Sequence, residues 1–284
     1  MRPTMRNNYA GTCTSCGASV SAREGEAVKE DGRWRVYCSE HAPRPTAPPR
    51  GDHPGWHSGD LAGYDCETSS PDPRTAFLVS AALVAPDGTA RTWLVDPGPR
   101  EIPPEAVQVH GITTEHARAE GRPAEQVLPE IADALTGHLA AGRGLAVFNA
   151  PFDLGVLSTE LRRLGLPSLA ERLAGRVGPI IDPLVIDRGA DPYRKGRRTL
   201  GDLCAFYGVE LNGAHTAEGD AAACLALARE IGARRPGVAA LALPELHEQQ
   251  VGWALEHARG LQEWLDRTRP GHGRRIDGTW PEAC

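Results

Sequence analysis

From about Asp60 to about Arg235 the chain alternates apolar runs of strand length with longer stretches of helical spacing, and their order narrows the fold more than any other feature. Three strand-type runs come first: LAGYDCE, AFLVSAALVAPDG and TARTWLVDPG. Pro86-Asp87-Gly88 joins the second to the third as a hairpin. Residues 123–140 then place Val127, Leu128, Ile131, Leu135 and Leu139 at helical intervals. GLAVFN (144–149) is another strand-length run, after which Asn149 is suited to cap the helix PFDLGVLSTELRRLG with Pro151 in its first turn. Helices are expected at 199–207, 218–232 and 244–268, and a buried strand near 177–181. Consecutive strands followed by alternating helices and strands predict an α/β fold, a mixed sheet flanked by helices.

This regular zone, 60–235, lies between less regular ones. Residues 42–59, rich in Pro and Gly, read as a semi-rigid linker from a cysteine-bearing segment, 1–41. Residues 236–284 read as a helical extension and a loose tail, RPGHGRRIDGTWPEAC. In the extension Leu246, Val251, Trp253, Leu255, Leu261, Trp264 and Leu265 form an amphipathic stripe expected to pack on the main domain. The net charge of −6 lacks the basic excess usual in nucleic-acid binders, yet it suits a chain that gathers carboxylates around cations. The start has no apolar core of a secretory signal, and no run approaches the ~18 apolar residues of a membrane span. Of seven cysteines, Cys66, Cys204, Cys224 and Cys284 are irregularly spaced, which argues against a disulfide framework and for a reducing cytoplasm.

Chemistry concentrates in the regular zone. Asp65 and Glu67 lie two apart in a predicted strand, so both carboxylates leave the same face. Asp153 falls in the first turn of the helix after GLAVFN; His215 stands in a loop, and Asp220 opens the small-residue helix that follows. Each has an ordinary reading when taken alone: a strand end, a favourable helix-dipole charge, a solvated loop histidine. Together, a strand, a strand-to-helix junction and a helix start can bring four acids to one sheet edge. Hard divalent cations such as Mg²⁺ or Mn²⁺ prefer such oxygen ligands, and phosphodiester hydrolysis commonly uses two of them. A neutral histidine nearby adds a general base.

YDCET, NAPFDLGVL and HTAEGDA resemble the three motifs of the DnaQ-like 3′–5′ exonucleases, the branch named for four acids and a histidine. VHGIT (109–113) and RRTLGDLCAFYGV (197–209) are also similar to family segments. The resemblance spans about residues 60–232 and implies a ribonuclease-H-like fold with hydrolysis from the 3′ end of a nucleic acid. It implies that Asp65, Glu67 and Asp220 hold one Mg²⁺ or Mn²⁺ ion, that Asp65 bridges to a second supported by Asp153, and that His215 takes the proton from the attacking water. Asp182 also falls where many relatives place an Asp; capping the next helix explains it equally well. Relatives usually accept single strands. DNA is the favoured substrate here, with RNA processing and a non-catalytic adaptor as alternatives.

The run YRKGRR, with Arg194, Lys195, Arg197 and Arg198, is a candidate contact for phosphates, or a solvated turn. Phe152 and Leu154 are candidate contacts for terminal bases, core packing being expected of at least one. Near the amino terminus, Cys13-x2-Cys16 and Cys38-x2-His41 have the spacing of a structural Zn²⁺ site, with RWRVYC as a strand leading into the second pair. Three roles fit such a module: contact with nucleic acid, docking of a partner such as a replication or repair protein, or stabilisation of the terminus.

Overall fold

A computed structural model describes residues 4–42 and 46–282. The chain divides into two compact units, Met1–Thr46 and Ala47–Cys284.

The smaller unit is all β. Strands β1 (Thr4–Arg6), β4 (Gly25–Glu30) and β5 (Arg33–Cys38) form an antiparallel sheet in the order β1-β4-β5, while β2 (Gly11–Thr12) and β3 (Ser19–Val20) form a hairpin. Among its described residues the buried apolar core is Cys13, Val20, Val28 and Tyr37, with a few partly buried neighbours. So small a core supplies little folding energy.

The larger unit begins with β6 (Leu61–Thr68), β7 (Leu78–Val84) and β8 (Ala90–Asp96), the three strands the alternation predicts. Two helices that lack enough turns to show periodicity follow, α1 (Pro104–His110) and α2 (Thr114–Glu120), the second capped by Thr113. Next come β9 (Arg122–Pro123), α3 (Ala124–Ala140), β10 (Gly144–Val147), α4 (Ala150–Arg163), α5 (Leu169–Arg172), β11 (Ile180–Ile181) and α6 (Pro183–Ala190). The unit continues through α7 (Leu200–Tyr207), α8 (Ala217–Arg234), α9 (Pro236–Ala239) and α10 (Leu243–Thr268). The described strands make one six-stranded mixed sheet in the order β11-β10-β6-β7-β8-β9. β10 runs parallel to both β6 and β11, and β7 runs antiparallel to its two neighbours. The C-terminal ends of β6, β10 and β11 therefore lie along one edge of the sheet.

Helices cover both faces. On one, Tyr64 and Cys66 of β6 join Leu128, Ile131 and Leu135 of α3 and Leu157 and Leu161 of α4 in a continuous core. On the other, Leu61, Ala146 and Ile181 meet Ala221, Leu225 and Ala228 of α8 and Leu203 of α7. The small residues of α8 let its backbone approach the sheet closely. A Cβ at Gly63 would fall far inside contact distance of the Ala221 carbonyl oxygen. Gly63 is thus needed for proximity, with no positive φ involved.

Several sequence expectations are corrected here. From Ala47 onward, the segment read as linker is strapped to the larger unit: Gly51 N donates to the Ala233 carbonyl at 2.8 Å and the buried Trp56 Nε1 to Val238 O at 3.1 Å. Residues 43–45 and Cys284 lie outside the described residues. The carboxy-terminal tail is not loose, since Trp280 is buried in the core and donates Nε1 to Asp182 Oδ2 at 3.3 Å. On α10, Leu246 and Leu265 are buried, whereas Leu255 and Trp264 are exposed; the buried polar Gln250 replaces part of the expected stripe. Its amide oxygen accepts from Asp182 N at 2.7 Å and its amide nitrogen donates to Ile180 O at 2.8 Å. No helix among the described residues is long and apolar enough to cross a membrane.

Gly63→Ala is expected to cost about 1–3 kcal/mol of stability, the usual penalty of overpacking. It should also weaken divalent-cation binding without altering a ligand, because it pushes α8 and its Asp220 away from β6. Chemical denaturation and Mn²⁺ titration of the variant check both effects.

Candidate active site

The sheet edge gathers the acids. β6 delivers Asp65 and Glu67 from one face, as the period of two requires. α8, pressed onto Gly63, delivers Asp220 from its first turn. One carboxylate oxygen from each of the three lies within 4.8 Å of the others. Asp153, in the first turn of α4, is buried next to this group but does not belong to it. Its Oδ1 accepts from the Cys66 backbone N–H at 3.0 Å and from the Cys66 thiol at 3.2 Å. Cys66, between the two strand acids, thereby orients the fourth. His215 is exposed in the loop before α8 at φ 64, a left-handed conformation rare outside glycine, and its backbone N–H donates to Asp220 Oδ2 at 3.3 Å.

The electrostatics are those of crowded like charges. Burial pushes the Asp65 carboxyl well above the ordinary carboxylate range, with Asp153, Glu67 and Asp220 adding to the effect. Burial and then Asp220 raise Glu67 to about 7, while His215 opposes them. Burial raises Asp153 to about 7 against its two hydrogen bonds from Cys66. Asp220 is raised by burial, opposed by the His215 backbone N–H and side chain, and its Oδ1 is buried with no hydrogen-bond partner. Carboxylates held together at such cost, one with an orphaned oxygen, form an all-oxygen donor set of the kind Mg²⁺ or Mn²⁺ takes. The residues fit the ions.

Other sequence candidates fall elsewhere. Asn149 occupies the cap position of α4 at φ 58 but forms no side-chain cap. The capping group is Asp182, fully buried, whose carboxylate accepts from Asn149 N, Ala150 N and Leu184 N and so ties the starts of α4 and α6 together. The basic run is divided. Arg194 and Arg198 turn inward onto the buried Asp187, at 2.9 and 2.7 Å, and Tyr207 Oη donates to the same carboxylate. These two arginines are structural cations, contrary to the phosphate-contact expectation for the whole run. Lys195 and Arg197 are both exposed, with the Arg197 guanidinium 3.6 Å from Asp202. Leu154 is core, while Phe152 is only partly buried beside Asp153. Sequence reading gave no role to Gly63, Cys66 or His110. His110 is buried near Thr68 at the end of β6, its Nδ1 accepting from Ile112 N at 3.1 Å, and burial lowers its imidazole. VHGIT was its only trace in the sequence.

In the smaller unit Cys13, Cys16, Cys38 and His41 each bring a ligand atom within 4.8 Å of the others. Cys16 and Cys38 sulfurs are 3.9 Å apart, and Cys38 Sγ is 3.1 Å from His41 Nδ1. Thiolates ~2.3 Å from a tetrahedral Zn²⁺ would sit at about the former separation. The backbone N–H of Cys38 helps hold the Cys13 thiol down to about 6, which favours the thiolate form. This donor set suits zinc as the acidic one suits magnesium.

The geometry thus places a carboxylate cluster, a donor set for hard cations, at the edge of a mixed sheet. The family model for exonucleases, RNase_T, matches residues 63–228, and the chain belongs to that family. Among curated relatives, DNA polymerase III PolC-type of Streptococcus suis (strain 98HAH33) is 34% identical over 129 residues, 45% of this chain and 8% of that protein. Its counterpart in Streptococcus thermophilus (strain ATCC BAA-491 / LMD-9) is 32% identical over the same length. Among solved structures, E. coli exonuclease I in complex with a dT13 oligonucleotide aligns with TM-score 0.54 at 21% identity, over 64% of this chain and 42% of that one. Exonuclease I from Methylocaldum szegediense aligns with TM-score 0.52 at 22% identity, over 75% and 46%. The chain thus spans under half of these structures and under a tenth of the polymerases.

Two outcomes are expected. In chelator, the raised carboxylates make the folded state bind more protons than the unfolded state from about pH 4, the unfolded value, to about pH 7. Stability should therefore fall as pH rises through that window. Mg²⁺ or Mn²⁺ should restore it near neutrality; a thermal midpoint indifferent to both would contradict the reading. Elemental analysis should find one zinc per chain that is lost in Cys13→Ser, with unfolding of the smaller unit.

Proposed function

We propose that the chain is a metal-dependent 3′–5′ exonuclease acting on single-stranded nucleic acid, DNA in preference to RNA. The observation that carries this reading is the convergence of Asp65, Glu67 and Asp220 at one sheet edge, with Asp153 fixed behind them by Cys66. The relatives support DNA: they are named as DNA polymerases, and the exonuclease I neighbour was solved with a DNA oligonucleotide. An adaptor role is disfavoured, because mutual repulsion among four crowded, largely desolvated carboxylates would serve no purpose in a scaffold.

In this mechanism Asp65, Glu67 and Asp220 would hold one divalent cation, and Asp153 would support a second. When bound, the pair supplies Lewis acidity toward the scissile phosphate. His215, exposed at the mouth, removes a proton from the attacking water. Its left-handed backbone lets its own N–H hold Asp220 while the imidazole stays free to meet substrate. Phe152, half-exposed beside Asp153, offers a stacking surface to the terminal base, and Lys195 and Arg197 are the exposed cations of the basic run. The smaller unit holds a structural Zn²⁺.

Asp65→Ala and Asp153→Ala should abolish degradation of a 5′-labelled DNA oligonucleotide while the protein stays folded. His215→Ala should slow it by roughly 10²–10⁴, the usual contribution of a general base. Full activity in either aspartate variant would refute the site. Faster digestion of a matched RNA would reassign the substrate.

A further inference from the structure

We propose that the cleft between α6, α10 and the carboxy-terminal tail receives a backbone phosphate of the single strand, upstream of its 3′ end, with Arg188 as the cation. The inference rests on the exonuclease reading and adds a substrate subsite to it.

The cleft has a volume of about 190 Å³, and its lining includes Asn149, Arg188, Trp253, His257, Asp277 and Trp280. That is several times the ~30 Å³ of a water molecule, enough for a phosphodiester and part of its sugar. Arg188 is half-buried on α6 and makes no hydrogen bond or close ion pair with a described residue, Asp182 and Asp187 attracting it only from longer range. Its two basic neighbours behave differently, since Arg194 and Arg198 are both consumed by Asp187. A guanidinium carries five donors and no acceptor, so one withdrawn from water and left unpaired is poised for an anion.

The nearby carboxylates do not supply that anion. Asp182 lines the cleft but already accepts from Asn149 N, Ala150 N, Leu184 N and Trp280 Nε1. Asp277 accepts from both the backbone N–H and the hydroxyl of Thr279. Asp187 is matched by two arginines, and Asp182 and Asp277 spend their oxygens on the neutral donors just named, so Arg188 is the guanidinium of the cleft whose donors a phosphate can take. Burial and the nearby arginines hold the His257 imidazole low, which leaves Arg188 as the permanent charge. Trp253 adds a half-buried aromatic surface for a sugar or base.

Position makes the anion a strand phosphate. Asp65 and Glu67 sit near the C-terminal end of β6, Asn149 follows β10 and Asp182 follows β11, and these three strands are parallel neighbours. Two strand spacings, ~10 Å, separate the acidic cluster from the cleft along one edge. A strand with its 3′ end at the acids can lie along that edge and set an upstream phosphate beside Arg188.

The test measures binding and digestion of a 5′-labelled thymidine oligonucleotide by the full chain, with binding read in Ca²⁺ across a salt series. Arg188→Gln should weaken binding about tenfold and lower the log–log salt slope by about 0.7, the release expected for one single-strand phosphate. Arg188→Lys should restore much of the affinity, and kcat at saturating oligonucleotide should stay within twofold of wild type. A scan of single uncharged methylphosphonate linkages needs no variant: one upstream linkage should weaken wild-type binding, and the same linkage should have no effect in Arg188→Gln. Wild-type affinity and slope in Arg188→Gln, or a scan in which no upstream linkage matters, overturns the subsite while wild-type digestion stands. A wild-type chain that digests no oligonucleotide overturns the exonuclease reading itself, and the subsite with it.

Discussion

The backbone of α8 lies against β6 at Gly63, and the chemistry of the molecule depends on that approach. Asp65 and Asp220 are separated by more than half of the exonuclease unit in sequence, and like charges do not seek each other. They meet because apolar burial of Leu225, Ala228 and their partners draws α8 onto the sheet, and because no Cβ stands between the two backbones. The stability of the fold thus supports the electrostatic tension at its edge. Divalent cations would relieve the same tension, which is why the proposed site calls for ions to complete it.

Secondary polar clasps keep the edge in register. Asp182 is buried beneath the site and ties together the first residues of α4 and α6, the Gln250 amide from α10 and the tail through Trp280. A residue so engaged, its carboxylate on the first N–H groups of α4 and α6 and its own N–H on Gln250, fixes where α4 begins, and with it where Asp153 stands. Cys66 performs the finer adjustment with one backbone and one thiol donor. This arrangement explains why the carboxy-terminal segment, which carries no catalytic group, folds back on the domain rather than hanging free.

Much of the frame was legible in the sequence because it rests on periodicity. The alternation in β6, β7 and β8 and the spacing of Val127 through Leu139 reflect burial on one face, which a pattern records directly. That Asp65, Glu67, Asp153, His215 and Asp220 would lie near one sheet edge was legible because each falls in or beside an element whose type was readable. What escaped depended on long-range partners. Arg194 and Arg198 read as surface cations until Asp187 is seen beneath them, and neither run nor spacing records a buried counter-charge. The tail read as loose because Trp280 is one aromatic among glycines and charges, and its anchor, Asp182, lies 98 positions earlier. Gly63 is silent in sequence, since an absent side chain shows its use only against the helix that crosses it.

Anomalous diffraction from crystals soaked in Mn²⁺ tests the central claim most directly. The account predicts manganese peaks at the sheet edge, coordinated by oxygens of Asp65, Glu67 and Asp220, with Asp153 oriented toward them. A map without manganese among these side chains, or one in which the carboxylates diverge, would contradict it.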